Sequence, residues 1–243
     1  MADMRLTFSS VYTKVGEFLG LGSSPTGTDL TLVKDLTYRG YRKFLYPVDQ
    51  ETGLLHRWSF LYKQVNFQTE AGKYKYDLPV DYDCLVVGPK YSNGEDQTPP
   101  EVSTLSKLHE LRTISTTTGR PSFYAVFNNN FTEEFGSTQD LWLWRTPDAA
   151  YDFYYVYTFN PDKPEDDNDY FIGTPLASEV ILQCSLGMAQ LQEDELEGEQ
   201  LKSANDMLRR MIAWDKLYNI TPVEEEDASK SMLRPRPYMT GDK

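Results

Sequence analysis

The stretch LWLWRTPDAAYDFYYVYTF, Leu141 to Phe159, decides the class of fold. Two runs of rings and bulky apolar side chains flank Thr146-Pro-Asp-Ala-Ala, where proline presets φ and aspartate suits a turn. The pattern predicts two strands joined as a hairpin. In the second run Tyr151, Phe153, Tyr155, Tyr157 and Phe159 recur at every other position. Strand side chains alternate between faces, so one sheet face is lined with rings. By the same rule Trp142 and Trp144 share a face of the first run.

Of the 33 aromatic residues, 21 lie between Glu51 and Asn160, which extends β structure across the middle of the chain. Val65-Asn-Phe-Gln-Thr, the turn Ala71-Gly and Lys73-Tyr-Lys-Tyr-Asp-Leu-Pro predict another hairpin, stopped by Pro79. Cys84-Leu-Val-Val predicts a short strand ended by Gly88-Pro89. Leu105, Leu108 and Leu111 predict a short helix from Ser103 to Arg112, and Phe123-Tyr-Ala-Val-Phe a further strand.

The flanks have helical periodicity. Val11, Val15, Phe18 and Leu19 make one stripe, capped by Thr7 and stopped by Gly20-Leu-Gly-Ser-Ser-Pro. Leu32, Val33, Leu36, Tyr41, Phe44 and Leu45 make a second, capped by Thr28 or Asp29 and ended before Pro47, with Gly40 weakening it by about 1 kcal/mol relative to Ala. Beyond an acidic linker, Asp162 to Asp169, Thr174 caps and Pro175 opens a helix with Val180, Ile181, Cys184, Met188 and Leu191 on one face. A last helix carries Leu201, Ala204, Leu208, Met211 and Ile212 and ends near Asn219 and Pro222.

The chain therefore reads as α+β: a helical bundle from N- and C-terminal helices with an inserted aromatic-rich antiparallel β module. Residues 1–62 and 174–219 are expected to form the bundle, 63–160 the antiparallel β domain, and 220–243 an extended C-terminal tail. In that tail Glu-Glu-Glu-Asp at 224–227 gives way to Lys230, Arg234, Arg236 and Lys243, and Pro235 and Pro237 forbid helix. Its composition suits a segment that orders on a partner, the alternative being a disordered terminus.

Lys and Arg total 24 against 37 Asp and Glu, a net charge of −13, which argues against a chain built to neutralise phosphates or adhere to anionic lipid. No stretch approaches the roughly 18 apolar residues of a membrane helix, and the N-terminus lacks a signal-peptide pattern, so no membrane association is expected and the product reads as cytosolic. Cys84 and Cys184 have neither metal-ligand spacing nor the density of a disulfide scaffold and read as buried reduced thiols.

Catalytic motifs are sparse. The two histidines, His56 and His109, belong to no HExxH, Cys-His or GxSxG pattern and read as surface or packing residues. Gly20-Leu-Gly-Ser-Ser-Pro follows no strand and lacks the Gly-Lys-Ser/Thr ending of a phosphate loop, and the acidic linker lacks the glycine and terminal glutamate of a calcium loop. No catalytic residue, metal ligand or cofactor is assigned, and no enzyme activity is expected. Trp142 and Trp144 read as core or subunit contacts, with a glycan-stacking platform as the rival reading; that rival predicts exposed, coplanar rings.

The order of the pieces "HRWSFL", "NFQTEAGKYKYDLPVDYDCL", "TTTGRPSFYAVF", "LWLWRTPDAAYDFYYVYTFNP" and "TPLASEVILQCSLGMAQLQEDELEGEQLKSANDMLRRMIAWD" resembles the head-to-tail adaptor proteins of tailed bacteriophages, the tail tubular protein A group of short-tailed phages. The most specific features are Gly-x-Tyr-x-Tyr-x-Leu-Pro at Gly72 to Pro79, Gly119-Arg-Pro, and Trp-Arg-Thr-Pro-Asp at Trp144 to Asp148. Together the pieces cover most of residues 1–219.

The resemblance implies a structural virion protein of the phage neck, assembled in the host cytoplasm. It implies a homo-oligomeric ring, commonly a dodecamer, that joins the portal to the tail nozzle and lets genomic DNA pass at ejection without specific binding. On that pattern Leu233, Arg234, Pro235, Arg236, Pro237 and Tyr238 are expected to contact the portal protein. The tips carrying Asn93, Gly94 and Glu95, and Asn128, Asn129, Asn130 and Phe131, are expected to meet the tail nozzle. Trp142, Trp144, Tyr155 and Tyr157 are expected at subunit interfaces.

Overall fold

The computed structural model describes residues 4–92, 98–133, 136–194 and 198–218. In chain order its elements are α1 (Phe8–Phe18), α2 (Gly27–Leu45), β1 (Tyr62–Gln68), β2 (Lys75–Asp77), β3 (Tyr82–Tyr91), β4 (Glu101–Val102), α3 (Leu105–Ile114), β5 (Phe123–Thr132), β6 (Gly136–Trp144), β7 (Asp152–Phe159), α4 (Pro175–Asp194) and α5 (Glu199–Tyr218). The fold is α+β and divides into two compact units: one runs to Phe60 and resumes at Pro161, the other spans Leu61–Asn160.

The first unit is helical. Thr7 caps α1 by accepting the Ser10 N–H at 3.2 Å. α2 begins at Gly27 rather than behind a Thr28 or Asp29 cap, and its N-cap, Thr26, makes no side-chain bond. Asp29 instead sits in the first turn, where a carboxylate favours the helix N-terminus. Thr174 accepts the Ala177 N–H at 3.3 Å to start α4, with Pro175 in the first helical position. Phe8, Val11, Val33, Leu36, Phe44, Ile181, Cys184, Leu208 and Ile212 are among its buried side chains, whereas Phe18 and Leu32 lie outside the core.

Gly40 has a packing purpose. A Cβ there would lie 2.4–2.6 Å from the backbone and hydroxyl of Ser185, so the glycine lets α2 and α4 touch backbone to backbone. Trp58 closes the core beyond α2: its indole N–H donates to the Phe44 carbonyl at 2.7 Å and its ring stacks on Phe44. The acidic linker belongs to this unit, tied to the start of α1 by the Phe8 N–H to Asp169 carbonyl bond at 2.8 Å.

The second unit is a pair of facing sheets, ordered β1-β7-β3 and β2-β6-β5-β4, antiparallel except for the parallel β4–β5 pair. Tyr76, Leu78, Tyr82, Tyr124, Leu141, Leu143, Tyr155 and Tyr157 fill the space between them. Gly88 admits the Tyr124 hydroxyl from the opposite sheet, where a Cβ would stand 2.3 Å from it.

Both hairpins expected from the sequence are absent as pairs. β6 and β7 lie in different sheets, as do β1 and β2. Each connection is an arch that carries the chain across the core, and the two arches lie side by side. Gly72 N–H donates to the Pro147 carbonyl at 2.8 Å, and Thr69 Oγ1 donates to the Ala149 carbonyl at 3.1 Å. A run with an apolar inner face must be covered by something, and here the following run covers it from the opposite sheet rather than extending the same one. β3 also continues through Gly88-Pro89, with an irregular register there, instead of ending at Val87. The expected short helix is α3, capped by Thr104 with Leu108 buried.

Candidate functional site

In the helical unit the loop after α2 folds back, with Val48 bridged to Leu55, and two successive α5 residues hold it. Lys216 Nζ lies 2.7 Å from Asp49 Oδ2, and the same carboxylate accepts the Thr52 hydroxyl at 2.7 Å and, through Oδ1, the Glu51 N–H at 3.0 Å. The lysine contact and these hydrogen bonds hold the Asp49 carboxyl far below its ordinary pKa, and Asp49 in turn raises Lys216. Asp215 Oδ2 meets His56 Nε2 at 2.9 Å, and Asp215 Oδ1 accepts the Ser59 hydroxyl at 2.6 Å. Burial alone would raise Asp215, but the bonds from His56 and Ser59 outweigh it and the net shift is downward.

The carboxylate therefore stands between Ser59 and His56. A serine nucleophile needs the imidazole itself as its hydrogen-bond partner, so this cluster fastens the loop and does not activate the hydroxyl. Beside it lies a groove of about 510 Å³ lined by Lys43 and Tyr46 of α2, Val48 and Gln50 of the loop, and Leu208 and Arg209 of α5, among others. Sequence reading passed over Asp49, Asp215 and Lys216, because side chains 167 positions apart carry no spacing signal.

In the β unit, Tyr155 and Tyr157 are core residues at 4% and 0% exposure, so their expected subunit-contact role is corrected to packing. Burial pushes the Tyr155 hydroxyl up to about 12, and the Tyr157 hydroxyl donates to Asp81 at 2.8 Å. Trp142 and Trp144 lie on the opposite face of β6 from Leu141 and Leu143 and are half-buried. Tyr74, His109 and Phe127 meet the Trp142 ring edge to face, at 5.5, 5.1 and 4.5 Å between centroids. Trp144 packs against Phe123 at 5.7 Å with a 37° tilt, and Arg145 lies over its ring. These rings are not an open coplanar platform, which removes the geometric basis of the glycan reading.

Arg112 of α3 locks the same face, donating to the Leu143 carbonyl at 2.6 Å while its guanidinium lies 3.4 Å over the Tyr74 ring. Burial lowers its pKa. Asn128, Asn129, Asn130 and Phe131 sit at the exposed end of the β5–β6 hairpin, Phe131 at 70% exposure. Asn93, Gly94 and Glu95, and Leu233, Arg234, Pro235, Arg236, Pro237 and Tyr238, lie outside the described residues.

Both cysteines are free thiols: Cys184 is buried, while Cys84 is only half-buried, 2.9 Å from the Thr158 hydroxyl. Among the described residues no three His, Cys, Asp or Glu side chains converge as metal ligands would, and no helix is long and apolar enough to cross a membrane.

No curated protein matches the chain. A family model does, that of the SU10 adaptor protein, over residues 6–232, which takes in both units, continues past α5 and stops just before Leu233. With nearly the whole chain inside that match, the chain belongs to the SU10 adaptor protein family, a family of phage head-to-tail adaptors.

Proposed function

We propose that the protein is a non-enzymatic structural component of the phage neck, a head-to-tail adaptor whose copies form a ring between portal and tail nozzle. The observation that carries the reading is the family match across residues 6–232. A dodecamer is the proposed stoichiometry, assembled in the host cytoplasm, with genomic DNA passing through its bore at ejection. A net charge of −13 supports that passage, since like charge leaves the duplex free to slide.

Within this reading Leu233 to Tyr238 dock on the portal protein as an extended, basic, proline-stiffened segment. Such a segment loses little entropy on binding. The hairpin tip at Asn128 to Phe131, with Phe131 exposed, meets the tail nozzle, together with Asn93, Gly94 and Glu95. Half-buried Trp142 and Trp144 supply subunit contact on the outer face of β6. The test is co-sedimentation of the purified chain with the portal protein and then with the nozzle protein of the same phage. Stepwise recruitment supports the reading, and a chain that sediments with neither overturns it.

A further inference from the structure

A ring needs two different, mutually complementary patches on every copy, because a contact between identical patches ends at a dimer. Copies carrying −13 each also repel one another unless a local pairing of opposite sign outweighs the net charge. The helical unit holds such a pair of patches.

The first is the groove between α2, the folded-back loop and α5. Of its cations, Lys216 is engaged by Asp49 at 2.7 Å and Glu51 at 3.6 Å. Arg209 meets Gln50 and, at 3.7 Å on the surface, Asp206. Among the described residues, Lys43, which lines the groove, has no carboxylate in ion-pair range. The groove thus offers Lys43 and Arg209 above an apolar floor of Leu208 and Ile212, with the exposed Tyr46 and Val48 at its lip.

The second patch is the acidic loop at 162–169. Its backbone is held in shape: the Glu165 and Asp166 N–H groups both donate to Asp169 Oδ2 at 2.9 Å, Asp167 pairs with Lys34 at 3.2 Å, and the Tyr38 hydroxyl donates to the Pro164 carbonyl at 2.8 Å. This leaves Asp162, Glu165 and Asp166 exposed, with Lys163 loosely paired to Glu165 at 3.7 Å.

Lys34, under the acidic loop, and Lys43, at the groove, are nine residues apart on α2. At about 100° per residue that places them about 180° apart around the helix. The two lysines therefore leave α2 on opposite sides, one beneath the acidic loop and the other at the groove with Arg209. Pairing loop with groove between copies propagates head to tail.

We propose that the groove of one copy receives the 162–169 loop of the next copy, Glu165 and Asp166 meeting Lys43 and Arg209. This inference rests on the ring reading above and names the contact that builds the ring. Complementary charges of this kind raise the association rate and fix the register of the partners.

The test uses the full-length chain with the portal protein of the same phage as template, read by sedimentation and negative-stain microscopy. Two variants are compared with the natural chain, K43E/R209E and E165K/D166K, each checked for an unchanged far-ultraviolet circular dichroism spectrum. The expected result is rings from the natural chain, loss of rings from either variant alone, and rings again from an equimolar mixture, in which each reversed groove meets a reversed loop. Rings from each variant alone, or loss in both with no recovery on mixing, overturn the groove-and-loop contact while leaving the adaptor reading standing. No ring from the natural chain overturns the adaptor reading itself.

Discussion

Thr69 and Tyr151 are joined twice: the Thr69 N–H donates to the Tyr151 carbonyl at 2.9 Å, and the Tyr151 N–H donates to the Thr69 hydroxyl oxygen at 2.9 Å. That hydroxyl also donates to the Ala149 carbonyl at 3.1 Å, so one buried side chain staples the two arches that carry the chain between sheets.

Thr69→Val keeps the shape and removes both side-chain bonds, leaving a donor and an acceptor unmet. The expected loss of stability is about 2 kcal/mol, read from the midpoint of urea unfolding, with Thr69→Ser losing less than half of that. A Thr69→Val variant as stable as the natural chain would contradict the staple.

Gly40→Ala tests the contact of α2 with α4. Alanine gains about 1 kcal/mol of helix propensity, and in an open helix position that gain would show. Here the added Cβ meets the Ser185 backbone at 2.5–2.6 Å, which no side-chain rotation relieves, so the net effect is expected to be a loss of about 2 kcal/mol or more. Thermal unfolding reads the sign.

Acid should loosen the helical unit through Asp49 and Asp215. Both carboxyls are shifted below their unfolded values, so their contribution is complete above the unfolded pKa, near 4, and is lost as the pH falls below it through the folded values. Asp49→Asn is therefore expected to be less stable at pH 7 and to show a shallower decline from pH 5 to pH 2. An unchanged acid limb in urea titrations would contradict the assigned role of the Lys216 contact.

The proposed portal-binding segment, Leu233 to Tyr238, lies outside the family match, which ends at 232. Truncation after Met232 is therefore expected to leave the unfolding transition unchanged and to weaken portal binding at least about tenfold, or about 1.4 kcal/mol, by titration on immobilised portal protein. Unchanged affinity would remove Leu233 to Tyr238 from the portal contact.

Helices were readable because their stripes and caps are local: Thr7 and Thr174 cap as the sequence indicates, and Leu201, Ala204, Leu208, Met211 and Ile212 are buried together. Strand positions were readable for the same reason, Phe153, Tyr155 and Tyr157 being buried at alternate places. Strand partners were not. Thr146-Pro-Asp-Ala-Ala has the chemistry of a tight turn, but turn residues fix how a chain bends and not whether the next strand pairs or crosses the core; that choice rests on contacts such as Thr69 with Tyr151, 82 positions apart. Asp49 with Lys216 and Asp215 with His56 escaped notice on the same ground, since neither pair leaves a periodic trace.

Negative-stain microscopy with mass determination of the purified chain, alone and with the portal protein of its phage, decides whether the protein assembles as an adaptor. Closed rings are expected, on their own or templated by the portal, with twelve copies as the proposed number. A chain that remains a monomer and ignores the portal would contradict the adaptor reading.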